Sequence, residues 1–214
     1  WRWPLAMSHH LDQSEHYLTR DEELCLLRIA RDALVAWVGH SKRIDLDSYD
    51  LTPALREKHG AFVTLRVGRE LRGCIGYTQN REALARAVIE NAINAASNDP
   101  RFDPVQPNEL ATIAIEVSAL TPGDSPETPF KQVRDLREIA IGRDGLYIEL
   151  PPHRGGLLLP QVAAERDWDV GQFLRAVCQK AGYPDRTWEQ PDAKLYRFSA
   201  QVFSEDDSIG SRGR

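Results

Sequence analysis

Residues 61–76 read AFVTLRVGRELRGCIG, and this stretch decides the fold. Apolar and other side chains alternate over its first half with period two, which is typical of a strand with one buried face. The Gly68-Arg69 pair then supplies a two-residue turn. The stretch predicts a β-hairpin whose second strand places Arg72 and Cys74 side by side on one face.

Three long helices are predicted around this hairpin, each with an amphipathic stripe and a capping residue. Their predicted N-caps are Thr19, Asn80 and Asp169, and their predicted ends are Gly39, Ser97 and Gly182. Further strands are predicted over residues 112–120 and 196–202, and a second hairpin is predicted around an Arg143-Asp144-Gly145 turn. Because hairpins outnumber strand-helix-strand crossovers, we expect an α+β fold with a mainly antiparallel sheet flanked by helices.

The 214 residues are expected to form one domain between two polar ends. Residues 1–18 are interpreted as a disordered or non-native extension, with Met7 as a candidate natural start, and residues 206–214 as a polar tail. The domain itself spans residues 19–205, with a soft boundary between two lobes in the proline-rich segment 121–131.

Composition excludes several classes of function. The formal net charge is −5 and the pI is about 5.7, so nucleic acid is an unlikely partner. There is no apolar run long enough to span a membrane, and the cytoplasm is the expected location. The three cysteines form no CxxC pair, so we expect no bound metal, no cofactor and no radical-SAM iron–sulfur cluster in this chain.

The stretch from Arg72 to Gly76 has two interpretations. Two glycines weaken a strand by roughly 0.5–1 kcal/mol each, so something must offset that cost. In the functional interpretation, Gly73 and Gly76 let a ligand approach the backbone, and Arg72 favours the thiolate of Cys74. In the structural interpretation, the glycines relieve crowding under the alanine-rich helix, Cys74 is a small buried hydrophobe and Arg72 pairs with a surface carboxylate.

The LRGCIG stretch is similar to the signature of the AMMECR domain family, called AmmeMemoRadiSam system protein A in prokaryotes. Further blocks resemble the family in the same order, and together they cover about residues 19–205. These blocks are residues 60–65, 99–102, 116–122, 145–146, 157–162 and 180–182. The resemblance implies a larger and a smaller lobe with the Arg72-Gly73-Cys74 stretch facing a cleft between them. It also implies Memo-type and radical-SAM proteins as partners, and it supplies no reaction.

The blocks converge on a candidate site. Cys74 and Glu116 are the candidate catalytic residues, as a nucleophilic or redox thiol and a proton carrier. The candidate ligand-binding residues are Arg72, Gly73, Gly76, Arg101, Gln161 and Lys180. The arginines suit an anionic group, and Gln161 suits a carbonyl or oxyanion.

Each candidate also has a structural interpretation. Arg101 can clamp its loop through Asp99 or Asp103, Lys180 can complement a helix dipole, and Glu116 can face solvent. Except for the nearby His153, no block contains a histidine that would activate a thiol. Two functions therefore stay open: a small-molecule enzyme or enzyme component with a cysteine-containing cleft, and a non-catalytic ligand- or protein-binding adaptor.

Overall fold

The computed structural model describes residues 17–125, 127–150 and 154–206. The helices are α1 (Arg20–His40), α2 (Pro53–Arg56), α3 (Leu84–Ser97), α4 (Pro160–Glu165) and α5 (Val170–Lys180). The strands are β1 (Ala61–Val67), β2 (Glu70–Tyr77), β3 (Ile113–Leu120), β4 (Lys131–Gln132), β5 (Asp144–Leu150), β6 (Arg154–Leu158) and β7 (Lys194–Ser204). Short 3₁₀ turns lie at Pro107–Glu109, Leu136–Glu138 and Thr187–Glu189.

The strands form one seven-stranded sheet in the order β2-β1-β3-β7-β5-β6, with the short β4 also paired to β7. Every ladder is antiparallel. The predicted α+β class and the predicted β1–β2 hairpin are therefore confirmed. No helix among the described ranges is both long and apolar enough to cross a membrane.

The larger lobe is built on one face of β2, β1 and β3. The alternating residues Val63, Leu65, Ile115 and Val117 are fully buried beneath α1 and α3. Helix α3 carries alanines on its packed face, which lets it approach the sheet closely. The apolar face of the hairpin is thus buried in the core of the larger lobe. The residues that alternate with these apolar residues face away from the two helices.

The smaller lobe has a core of its own, formed by α4 and α5 against β5 and β6. Phe173, Leu146 and Ile148 are fully buried there. Strand β7 belongs to both lobes, because Phe203 lies in the larger core and Leu195 in the smaller one. One long strand thereby fixes the two lobes to each other.

At three helix ends, the structure shows the capping residues that the sequence predicted. Thr19 and Glu22 form the predicted capping box, as do Asp169 and Gln172. At the end of α5, Gly182 adopts a φ of 77°, and Tyr183 N–H donates to the Cys178 carbonyl at 2.9 Å, so the predicted glycine stop is confirmed.

Two other helix boundaries that the sequence predicted were wrong. Helix α1 continues through Gly39 to His40 and ends at Ser41, which takes the left-handed conformation instead. Helix α3 begins at Leu84 with Ala83 as its N-cap. The side-chain oxygen of the predicted cap, Asn80, instead accepts a hydrogen bond from Gly60 N–H.

The predicted turn at residues 143–145 was also wrong, because Asp144 begins β5 and is completely buried. Its carboxylate accepts hydrogen bonds from Ala140 N–H at 2.8 Å and from Arg143 at 2.7 and 3.0 Å, which offset the cost of burial. The hairpin in this lobe joins β5 to β6. In β7, Val202 is exposed while Gln201 is buried, so the predicted apolar face does not run the full length of the strand.

The described ends of the chain also pack on the domain. Leu18, which the sequence left in the N-terminal extension, is 3% exposed and donates its N–H to the Gln201 side chain. At the other end Glu205 pairs with Arg31 and accepts from Ile115 N–H. Of the expected extension over residues 1–18 and the expected tail over residues 206–214, residues 1–16 and 207–214 lie outside the described residues.

Candidate functional site

The candidate site lies on the face of β2, β1 and β3 opposite α1 and α3. Strand register places Cys74, Thr64 and Glu116 in one row across the three strands. The Thr64 hydroxyl donates to the Cys74 sulfur at 3.3 Å. Cys74 is a half-buried residue with a free thiol, and Thr64 is a fixed hydrogen-bond neighbour of its sulfur.

The outer edge of β2 is closed at Cys74 by two side chains from the loop after α3. Cys74 N–H donates to Oδ2 of Asp99 at 2.8 Å, and Nη2 of Arg101 donates to the Cys74 carbonyl at 3.2 Å. Asp99 and Arg101 thus satisfy the backbone groups that a neighbouring strand would satisfy. We call this pair the edge clamp.

The edge clamp is held together by charge. The Asp99 side chain is only 2% exposed and accepts from the Arg101 backbone N–H at 3.1 Å and from its guanidinium at 2.7 and 2.9 Å. The Arg101 hydrogen bond holds the pKa of Asp99 well below its usual range. The pKa of Arg101 is raised, first by its hydrogen bond to Asp99, and the Cys74 side chain adds smaller contributions of the same sign. The Arg101 side chain stays 54% exposed, so a positive charge sits at the surface beside the thiol.

Arg72 is committed to another partner. A β-bulge opposite Leu65 and Arg66 leaves Arg72 as the extra residue of β2. Its guanidinium donates to both carboxylate oxygens of Glu109, at 2.7 and 3.1 Å, and this contact raises its pKa. The cation that contacts Cys74 is Arg101, through the Cys74 carbonyl.

The two glycines beside Cys74 both lie against other parts of the chain. A Cβ on Gly73 would lie 2.2 Å from the Ala95 carbonyl oxygen of α3. A Cβ on Gly76 would lie 2.3 Å from the ring of Phe62 and 2.4 Å from the Ala61 carbonyl oxygen. Close packing at both positions therefore explains why the strand has two glycines although glycine destabilises a strand.

Gln161 belongs to the smaller lobe and contacts the face of the sheet that carries Cys74. It lies in α4, and its amide nitrogen donates to the Ser118 hydroxyl at 3.4 Å. Its Oε1 is buried and has no hydrogen-bond partner. Ser118 is two residues beyond Glu116 on β3, and Oε2 of Glu116 lies 4.0 Å from Nε of Arg66. Gln161 thus contacts β3, the strand that carries Glu116 of the Cys74 row.

Lys180 lies apart from this row as the last residue of α5, with an exposed side chain. Over the described ranges, no hydrogen bond or ion pair connects it to the Cys74 face. His153 lies outside the described residues. Within the described ranges no group of three or more His, Cys, Asp or Glu side chains is arranged to hold a metal ion.

The other two cysteines are less suited to chemistry. Burial raises the pKa of both Cys25 and Cys178, which favours the unreactive thiol. Cys178 is fully buried in the smaller core. For Cys25 this effect of burial outweighs that of the neighbouring Arg28 cation, whereas Cys74 lies beside the exposed guanidinium of Arg101.

Sequence reasoning missed Thr64 and Ser118 as members of the face, and it did not connect Asp99 to Cys74. A threonine in a strand forms no diagnostic sequence pattern, so the sequence did not indicate Thr64 as a site residue. Asp99 was recognised only as a local partner for Arg101. Its hydrogen bond to the Cys74 backbone spans 25 positions of sequence.

The architecture defines a two-lobed α+β protein with a glycine-flanked cysteine on the edge strand of its antiparallel sheet. The sequence model of the AMMECR1 family matches residues 27–203, and the chain belongs to this family. It is 46% identical over 191 residues to a protein of Methanothermobacter thermautotrophicus, covering 88% of this chain and 97% of that protein. It is likewise 46% identical over 186 residues to protein TK0174 of Thermococcus kodakarensis, covering 85% and 89%.

A solved structure shares this fold. The crystal structure of uncharacterized protein PH0010 from Pyrococcus horikoshii matches with a TM-score of 0.75 and 39% sequence identity. The match covers 85% of this chain and 90% of that one. The family is thereby established on both sequence and structure.

Proposed function

We propose that this protein is a cytoplasmic enzyme or enzyme component whose Cys74 face binds a small anionic molecule. The Cys74 thiol acts on that molecule as a nucleophile or a redox group. The observation that carries the proposal is the edge clamp, which holds the backbone of the half-buried Cys74 beside an exposed guanidinium. A cation next to a thiol stabilises the thiolate, which is the form that attacks or exchanges. The same cation attracts a carboxylate or phosphate group to the reacting sulfur.

The remaining residues of the face have roles consistent with this proposal. Thr64 orients the sulfur through its 3.3 Å hydrogen bond. Glu116 accepts or returns a proton, and Gln161 joins the smaller lobe to this face through its hydrogen bond to Ser118. Arg72 contributes by holding β2 to the Pro107–Glu109 turn through its bidentate pair with Glu109.

An adaptor function is the second candidate, and we propose Memo-type and radical-SAM proteins as the partners in either case. The observation that favours an adaptor is that no described histidine contacts the thiol, so the usual activating base is absent from the described part of the face. These partners are the ones that the resemblance to the AMMECR domain family implies. A Cys74→Ser protein separates the two functions, since an adaptor keeps its partners and a thiol enzyme loses turnover.

Anion binding is tested by protection of Cys74 from neutral iodoacetamide, followed residue by residue with peptide mass spectrometry. Phosphate, sulfate and malonate are the probes, at constant ionic strength. At ten times the dissociation constant, a bound anion slows Cys74 alkylation about tenfold, because only the free protein reacts. Cys25 in the same sample serves as the internal reference.

Two results contradict the proposal. One is a Cys74 rate that none of the three anions changes. The other is an equal slowing of Cys74 and Cys25, which indicates a general salt effect.

A further inference from the structure

The face of the sheet that carries Cys74 also carries an aromatic ring next to it. Phe62 of β1 is paired with Gly76 of β2, and Thr64 is paired with Cys74. Residues two apart in a strand share a face, so Phe62 lies on the same face as Thr64. The Phe62–Gly76 pair therefore forms the next row of side chains along the two strands.

The ring of Phe62 lies over Gly76. A Cβ built on Gly76 would lie 2.3 Å from Cδ1 of Phe62 and 2.4 Å from its Cγ, so the ring occupies the space of the missing side chain. Positions two apart on one face of a strand are separated by about 7 Å. The ring is thereby placed beside Cys74, at a distance that one small organic molecule can span.

The Phe62 ring is left partly outside the packed interior. Phe62 is half-buried, and among the described residues it belongs to neither the larger nor the smaller hydrophobic core. A single apolar side chain in contact with water is common on protein surfaces. This one is informative because a thiol and an exposed cation lie beside it.

The cation is Arg101, whose side chain is 54% exposed. Its Nε and Nη2 donate to Asp99, and Nη2 also donates to the Cys74 carbonyl. Among the hydrogen bonds of the described residues, these contacts leave Nη1 to donate to an anion. The ring of Phe102 packs against the guanidinium, with its centroid 5.5 Å from Cζ of Arg101, and further restricts its orientation.

We propose that the Cys74 face selects an organic anion that carries an apolar group. The anionic group binds Nη1 of Arg101, and the apolar group packs on the ring of Phe62. The bond that joins the two groups then lies next to Cys74. An inorganic anion makes the first contact and lacks the second. This assignment rests on the proposed function, because Arg101 is the anion site in both.

Isothermal titration with phenylphosphonate and methylphosphonate, at constant ionic strength, tests the assignment. The two ligands share one anionic group and differ in the size of the hydrocarbon. Phenylphosphonate is expected to bind roughly tenfold more tightly, the gain when about 60 Å² of hydrocarbon leaves water. Phe62→Leu is expected to reduce this preference to about threefold or less, because the apolar contact area is smaller.

Phe130→Leu is the matched control. Phe130 is also half-buried, but its ring stacks on Tyr147 of β5, with a centroid separation of 4.6 Å. The same substitution there is expected to leave the preference for phenylphosphonate unchanged. A preference that Phe62→Leu keeps, or that both substitutions reduce equally, would overturn the assignment.

A direct measurement on the unmodified sequence does not depend on how well Phe62→Leu folds. In protein labelled with ¹³C-phenylalanine, the phenyl protons of bound phenylphosphonate are expected to give nuclear Overhauser effects to the Phe62 ring. Phe62→Tyr keeps a ring and removes this phenylalanine signal, which assigns it among the six phenylalanines. Contacts to Phe102 in place of Phe62 would overturn the assignment.

Arg101→Gln separates failure of this assignment from failure of the proposed function. Equal binding of the two phosphonates, weakened about tenfold in Arg101→Gln, would overturn the apolar contact and leave the anion site in place. Absence of binding by both phosphonates would overturn the anion site and the apolar contact together.

Discussion

Replacing Gly73 with alanine is expected to lower the free energy of unfolding by roughly 3 kcal/mol or more, at the upper end of overpacking costs. The new Cβ would lie 2.2 Å from the Ala95 carbonyl oxygen and 3.1 Å from its carbonyl carbon. Both are backbone atoms of α3, so no side-chain rotation relieves the clash. The whole helix has to move off the sheet, which opens the larger core. Urea unfolding followed by circular dichroism measures the loss.

Gly39→Ala is the matched control for this substitution. Gly39 lies inside α1, and a Cβ there meets nothing within 4 Å. Alanine is favoured over glycine in a helix by about 0.5–1 kcal/mol, so this variant is expected to be more stable than the unmodified protein. Equal destabilisation by both changes would show that α3 does not pack on Gly73 as described.

Asp99→Asn is expected to cost about 2–3 kcal/mol at pH 7, because hydrogen bonds to a buried charged group are lost. The carboxylate accepts from Cys74 N–H, the Arg101 N–H and the Arg101 guanidinium. An amide keeps the shape of this group but turns a donor toward other donors. Asp103→Asn, an exposed position in the same loop, is the control and is expected to change stability little.

The stabilisation from Asp99 also depends on pH in a predictable direction. Its pKa is lower in the folded chain than in the unfolded chain, chiefly because of the Arg101 hydrogen bond. Its contribution is therefore complete above about pH 4, the usual value for an aspartate, and is lost as the pH falls below it. The difference in unfolding free energy between the unmodified protein and Asp99→Asn should shrink in acid. A difference that is constant from pH 7 to pH 3 would contradict the edge clamp.

The elements of the fold that depend on local interactions could be predicted from the sequence. The capping boxes at Thr19 and Asp169 involve residues three positions apart, so the chain shows them directly. The Asn80 cap was wrong because its side chain serves Gly60, a partner 20 positions away. Likewise, aspartate is common in turns, but Asp144 begins β5 because it pairs with Ser199 of the distant strand β7.

The composition of the candidate site could be predicted better than its geometry. Counting back from the Gly68-Arg69 turn pairs Thr64 with Gly73, but the bulge shifts the register by one residue and brings Thr64 opposite Cys74. The same bulge makes Arg72 the extra residue and leaves Arg101 as the cation beside the thiol. Neither the bulge nor the reach of Asp99 to Cys74 has a sequence pattern, since both depend on contacts between distant segments.

We propose that Arg101 sets the charge environment of the half-buried Cys74. The most direct test of this proposal is the ratio of Cys74 alkylation rates with anionic iodoacetate and neutral iodoacetamide, measured in the folded protein and in the urea-denatured chain. We expect the folded protein to favour iodoacetate relative to the denatured chain, Arg101→Lys to keep the preference and Arg101→Gln to lose it. Arg72→Gln, whose arginine is paired with Glu109, should leave the ratio unchanged. A folded ratio equal to the denatured one, or a ratio that follows Arg72 instead of Arg101, would contradict the account.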